Sequence, residues 1–191
     1  IQLLNSNEIT KYNVRIDKKT NFLKVSNKGK VILNVSIEEI KNCSNKFFKF
    51  LPQRYKYLPK LVSLKKNGFT DNSQPFISIG GSGSIENLSI KSGLDLETQR
   101  FRLNLIIKTS KPFEEFNWVG KNISVGSAVI KIVERVGRCS AINIQPKTAN
   151  KPLDLLPIMR SKYGHTDLGI FGLVIKNGIV NIGDEIKFDY I

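Results

Sequence analysis

The strongest constraint on this chain is a succession of short apolar runs, each closed by a turn signal. Asn13-Val14-Arg15-Ile16-Asp17 alternates, and Phe22-Leu23-Lys24-Val25 and Lys30-Val31-Ile32-Leu33-Asn34-Val35 follow it. Alternation with period two turns one strand face to a core and the other to water. Asn27-Lys28-Gly29-Lys30 predicts a hairpin turn between the last two. Further strands are expected at Leu61 to Leu64, Phe76 to Ile79, Ile123 to Val125, Ala128 to Val133 and Ala141 to Ile144. Asn177-Gly178 and Gly183-Asp184 mark tight turns near the end. Helical signals are short. Ser36-Ile37-Glu38-Glu39 predicts a capped helix carrying Ile37, Ile40 and Cys43 on one face, and a second piece runs from Ser44 to Leu51. Ser84 stands near the N-cap of another after a flexible Gly80-Gly81-Ser82-Gly83 turn, and a last one covers Asp154 to Ser161. The expected fold is mixed α/β and strand-dominant, with a curled or closed antiparallel sheet.

With 191 residues, 40% of them hydrophobic, the chain can bury a core, which excludes wholesale disorder. No apolar run approaches the roughly 18 residues of a membrane-spanning helix. The start, Ile1-Gln2-Leu3-Leu4-Asn5, lacks a secretory pattern, and Ile in place of Met suggests a piece of a longer product. Two distant cysteines, Cys43 and Cys139, do not make a disulfide framework, so a reducing, cytoplasmic setting is expected. The net charge of +14 raises nucleic acid as a partner. The lysines are spread along the whole chain, however, and no zinc-finger or RNA motif accompanies them, so a solvated lysine-rich surface is the expectation.

Gly137-Arg138-Cys139-Ser140 is the stretch with the clearest chemistry. A thiol beside a fixed positive charge ionises more easily, and the thiolate is the form that binds metal or attacks. The alternative is a buried, inert cysteine. In Arg100-Phe101-Arg102-Leu103-Asn104 the two arginines and the asparagine share a face if the chain is extended. Arginine donates in a bidentate fork, so such a face could grip a phosphate, or it could be a plain polar edge. Other constellations fail. One histidine and two distant cysteines make no structural zinc site, no nucleophile elbow appears, and adjacent Glu114 and Glu115 point apart in extended chain.

Taken in order, Ser84-Ile85-Glu86-Asn87-Leu88, Arg100-Phe101-Arg102-Leu103-Asn104, Phe113-Glu114-Glu115 with Trp118-Val119-Gly120, Arg138-Cys139, Pro146-Lys147-Thr148 and Gly169-Ile170-Phe171 ahead of Gly178 and Gly183-Asp184 resemble the MOSC domain. This family is named for the C-terminal domain of molybdenum cofactor sulfurase. The resemblance covers residues 76–188 and points to the amidoxime-reducing-component branch. It implies a MOSC-type β-barrel with short peripheral helices over 76–191, preceded by a partial N-terminal β region over 1–75. Leu103 stands where the branch usually has proline, Phe116 where an acidic residue often follows, and the family's opening strand is absent.

The resemblance implies that the molybdenum cofactor (molybdopterin) is bound, with Cys139 as ligand to the metal. Arg102 and Asn104 match its phosphate and pterin contacts, with Ser84, Arg138 and Arg100 as further candidates. It implies reduction of a small N-hydroxylated substrate with electrons from a separate redox protein; the spread of lysines and the short apolar runs, for their part, point away from nucleic acid and membrane as partners. Two other readings stay open: a sulfur carrier with a Cys139 persulfide, and a non-enzymatic basic β domain that binds nucleic acid. His165 could supply a proton or simply structure its Gly-His-Thr-Asp turn.

Overall fold

The computed structural model describes residues 7–39, 74–151 and 153–188. By its contacts the chain divides into two compact units, Ile1–Lys66 with Asn143–Leu153, and Asn67–Ile142 with Asp154–Ile191.

In the first unit, β1 (Tyr12–Asp17), β2 (Phe22–Asn27) and β3 (Lys30–Ser36) form an antiparallel sheet in the order β1-β2-β3. The alternation seen in the sequence sets its faces: Leu23, Val25, Leu33 and Val35 are buried together, with Tyr12, Ile32 and Ile37 packed against them. The β2–β3 turn forms as expected, with Lys28 and Gly29 both at positive φ (47° and 79°), the geometry of the tight hairpin turn that matches strand twist. Ser36 ends a strand. Its Oγ accepts from the Glu38 N–H at 3.3 Å, so the side chain caps a turn locally. The remainder of the helix expected there, Cys43, the piece from Ser44 to Leu51 and the strand at Leu61 lie outside the described residues.

In the second unit, β4 (Ile77–Gly81), β5 (Leu105–Ile107), β6 (Asn122–Val125), β7 (Ala128–Gly137), β8 (Asp167–Lys176) and β9 (Ile186–Phe188) make one sheet in the order β5-β4-β8-β7-β6-β9. Only the β4–β5 pair is parallel. It is joined through helix α1 (Ser82–Ser92), because parallel neighbours need a crossover. The long β7–β8 ladder shifts register three times, and such bulges bend and twist strands, curling the sheet into half a barrel. Gly172 allows the tight approach, since a Cβ there would lie 2.4 Å from Ile130 Cγ2. Inside sit Ile79, Phe116, Trp118, Ile123, Val125, Ile130, Ile132 and Ile170. The fold is mixed α/β and strand-dominant, as expected.

Helix α2 (Leu155–Tyr163) begins at Asp154, whose carboxylate accepts from the Leu156 N–H at 3.2 Å, and ends at Gly164 with φ 75°. Pro157 sits in its first turn, where a missing N–H costs nothing.

Three local expectations are corrected. Gly80 and Gly81 finish β4 instead of forming a flexible turn, so α1 starts at Ser82 and Ser84 lies inside it. The Arg100 to Asn104 stretch is not extended, so the shared face does not form: Thr98–Phe101 is a 3-10 turn, Arg102 is left-handed at φ 51°, and the strand begins at Leu105. Ser140–Asn143 is also a 3-10 turn and not a strand.

Candidate functional site

β7 carries the chain directly to Arg138 and Cys139, and the Arg138 N–H extends the ladder to the Thr166 carbonyl at 3.0 Å. The Arg138 side chain turns inward. Its Nε donates to the Leu168 carbonyl at 2.7 Å, Nη1 to the Phe101 carbonyl at 3.0 Å, and Nη2 again to Leu168. One guanidinium thereby ties the end of β7 to the start of β8 and to the turn before Arg102. Gly169 makes the space: a Cβ there would lie 2.6 Å from the Ile79 carbonyl and 3.2 Å from Arg138 Nη2, at a φ of +84°. Burial pushes the Arg138 pKa down to about 10. Negative charge on Cys139 and Glu115 opposes that shift, and the Arg102 cation adds to it. The guanidinium stays charged at neutral pH.

Cys139 is a free, exposed thiol. Its carbonyl accepts from the Ile142 N–H at 3.2 Å, so the chain coils away beneath it. Above that coil stands Arg102, whose Nη1 donates to the Arg100 and Ala141 carbonyls at 3.0 and 3.2 Å. Burial lowers the Arg102 pKa, Cys139 raises it, and Arg100 lowers it again. Cys139 thus stands beside two arginines, Arg138, spent on backbone carbonyls, and Arg102, with donors to spare. Asn104 is held by its oxygen, which accepts from the Ser78 N–H at 2.9 Å and the Ser78 hydroxyl at 3.0 Å. Its amide NH₂ has no partner among the described residues.

The structure therefore gathers Cys139, Arg138 and Arg102, but not all the residues singled out in the sequence. Arg100 is 2% exposed, because the 3-10 turn rotates it away from the face it would share with Arg102 in a strand. It donates to the Ile142 carbonyl at 3.1 Å and pairs with Glu97 at 3.2 Å, so it supports the Cys139 loop from below. Ser84 is fully buried. Its Oγ donates to the Glu115 carboxylate at 2.9 Å and accepts from the Phe113 N–H at 2.7 Å. His165 packs edge-on to Phe113 at 5.0 Å, and its Nδ1 accepts from the Asp167 N–H at 3.1 Å, a structural setting.

Glu115 is the residue that sequence reasoning missed. It is fully buried and accepts from the Gly81 N–H at 3.1 Å as well as from Ser84. A Cβ at Gly81 would lie 2.5 Å from its Oε2. The carboxylate thus sits against the N-terminus of α1, where exposed N–H groups and the helix dipole favour negative charge.

Among the described residues no three His, Cys, Asp or Glu side chains converge, so Cys139 is a single protein donor. A metal held there has to bring its other ligands with it. A soft thiolate, a guanidinium with open donors and an unpaired amide fit a sulfur-rich metal group that carries an anion.

A curled, strand-dominant domain that presents one exposed cysteine between two arginines is the architecture these residues define. The MOSC domain model matches residues 72–187, more than half of the chain, and the chain belongs to the MOSC domain family. Among curated proteins it is similar to a molybdenum cofactor sulfurase from Danio rerio, 36% identical over 76 residues, which cover 38% of this chain and 9% of that protein. It is also similar to one from Drosophila willistoni, 33% identical over 101 residues, covering 52% of this chain and 12% of that protein. The chain spans about a tenth of the length of these relatives. Among the described residues no helix is long and apolar enough to cross a membrane.

Proposed function

We propose that this MOSC domain binds the molybdenum cofactor with the Cys139 thiolate as protein ligand to the metal, and that it reduces small N-hydroxylated substrates. The observation that carries the reading is an exposed thiol directly after Arg138, at the start of the Ser140–Asn143 turn whose Ala141 carbonyl accepts from Arg102. Arg102, with donors beyond its two carbonyl bonds, holds an anionic group of the cofactor, and the Asn104 amide donates beside it. Arg138 supplies fixed positive charge while its donors hold the loop. Arg100 and Ser84 act from below, by shaping the turn and the helix start. When bound, the molybdenum group supplies the two-electron oxygen-atom chemistry, and electrons come from a separate redox protein.

A second reading, a sulfur carrier with a Cys139 persulfide, is favoured by one observation: the curated relatives are named molybdenum cofactor sulfurases. Metal analysis of the purified chain separates the two. Near-stoichiometric molybdenum that disappears in Cys139→Ser supports the ligand role. Cyanide-labile sulfur on Cys139 without metal supports the carrier, and neither signal overturns both.

A further inference from the structure

The contacts that hold His165 use its ring faces and one of its two nitrogens, and leave the other nitrogen over. Phe113, Phe116 and Tyr163 surround the ring, at centroid distances of 5.0, 5.6 and 6.0 Å. Phe113 makes its contact from a left-handed backbone with φ 59°, rare for so bulky a side chain, and its N–H donates to Ser84 Oγ at 2.7 Å. Such strained positions cluster at sites that have to keep one shape. His165 Nδ1 accepts from the Asp167 N–H at 3.1 Å. A ring nitrogen that accepts carries no proton, so the neutral imidazole carries its proton on Nε2. Nε2 has no partner among the described residues, and His165 is only half-buried, so a fixed donor remains within reach of solvent.

The strand register sets that donor beside the thiol. Gly137 pairs with Asp167 in the β7–β8 ladder, and the Arg138 N–H continues it to the Thr166 carbonyl at 3.0 Å. One step further along the same register Cys139 comes opposite His165. Directly opposed residues lie about 4.5–5.5 Å apart at Cα and share a side of the sheet. We propose, on the metal-ligand reading of Cys139, that His165 is a substrate-binding residue of this site, and that its Nε2–H donates to the oxygen of the substrate's N-hydroxyl group. An uncharged imidazole donor suits an uncharged N-hydroxyl, whereas the guanidinium of Arg102 suits an anion. The aromatic rings around His165 and the Asp167 N–H fix the direction of that donor before the substrate arrives.

Two isosteric variants of the metal-loaded chain test this. Both lose the imidazole, so its packing cancels between them. His165→Asn can keep an acceptor where Nδ1 stands, for the Asp167 N–H, but has lost the Nε2 donor. His165→Gln can keep an amide N–H where Nε2 stands but not the Nδ1 acceptor. NMR titration with acetamidoxime, without reductant, should show His165→Asn binding about 3–10-fold more weakly than wild type and His165→Gln within about 2-fold of it, both with wild-type molybdenum content. Acetamidine, which lacks the oxygen, should bind wild type and His165→Asn alike. With molybdenum retained, His165→Asn binding acetamidoxime as wild type does, or His165→Gln weakened as much as His165→Asn, overturns the role of His165 alone. Loss of molybdenum in His165→Gln or His165→Asn overturns it in favour of a purely structural histidine. A wild-type chain without molybdenum overturns the metal reading of Cys139 and this one with it.

Discussion

Replacing Glu115 by alanine and by glutamine separates hydrogen bonding from charge at the root of the site. Both variants remove the buried charge, so any gain from no longer burying it cancels between them. They differ in what they leave for the neighbours. Glutamine can keep its oxygen where Glu115 Oε1 stands, accepting from the Gly81 N–H at 3.1 Å and from the Ser84 hydroxyl at 2.9 Å. Alanine leaves both buried donors unpaired, at about 1–3 kcal/mol each. It also opens a void at a position that is fully buried. The alanine variant should therefore be less stable than the glutamine variant by about 2–6 kcal/mol, a large share of the roughly 5–15 kcal/mol that holds an ordinary domain together. Urea titration reads this directly, followed by the fluorescence of Trp118, the chain's one tryptophan, which is buried in the same 3-10 turn as Glu115. With a slope of about 1–3 kcal/mol per molar urea, the midpoints should separate by about 1 M or more. Midpoints for the two variants within about 0.3 M of each other would refute the reasoning, because the network around Glu115 would then contribute little beyond its charge.

Gly81→Ala should disturb the same network from the other side, since its Cβ would lie 2.5 Å from Glu115 Oε2 and 2.7 Å from Thr109 Oγ1; a loss of about 1–3 kcal/mol is expected by denaturant titration. Arg102→Gly should leave stability within about 1 kcal/mol of wild type, because glycine accepts the φ of 51° without strain. On the proposed cofactor role, the same variant should retain far less molybdenum than wild type by metal analysis, and equal retention would remove Arg102 from the proposed contacts. At acid pH the hairpin turn after β1 should report on Asp17. Its carboxylate accepts from the Lys19 and Thr20 N–H groups, which hold its pKa below the usual 3.8. A lowered folded-state pKa gives stability that is present above the unfolded value and lost as pH falls through the folded one. Carbon-detected NMR titration should place the Asp17 midpoint below 3.8, and the acid-side loss should vanish in Asp17→Ala.

How far the sequence reaches depends on where each residue's partners lie. The strands of the first unit are legible because their signal is local: alternation sets which side chains are buried, and Lys28-Gly29 sets the turn. The exposure of Cys139 is legible for a similar reason, since the apolar run that opens β7 signals a strand, and that strand ends at Gly137, directly before Arg138-Cys139. Glu115 has no such signal. The donors that hold it, Ser84 and Gly81, lie 31 and 34 residues back, and nothing in Phe113-Glu114-Glu115-Phe116 says which glutamate goes inside. The Arg100 to Asn104 stretch misleads actively, because alternation there imitates a strand. Arg100 instead finds a carbonyl 42 residues onward, at Ile142, and that distant bond lets a cation be buried and the backbone turn left-handed at Arg102. The break in the strand matters for the site. A continuous strand would have set Arg100 and Arg102 side by side on one face. The turn sends Arg100 under the Cys139 loop and leaves Arg102 above it, so the pair of arginines beside the thiol is Arg102 with Arg138. That pairing exists only once β7 and β8 are in register and Arg138 has reached the Leu168 and Phe101 carbonyls, which makes the site a product of the folded sheet and not of any single motif.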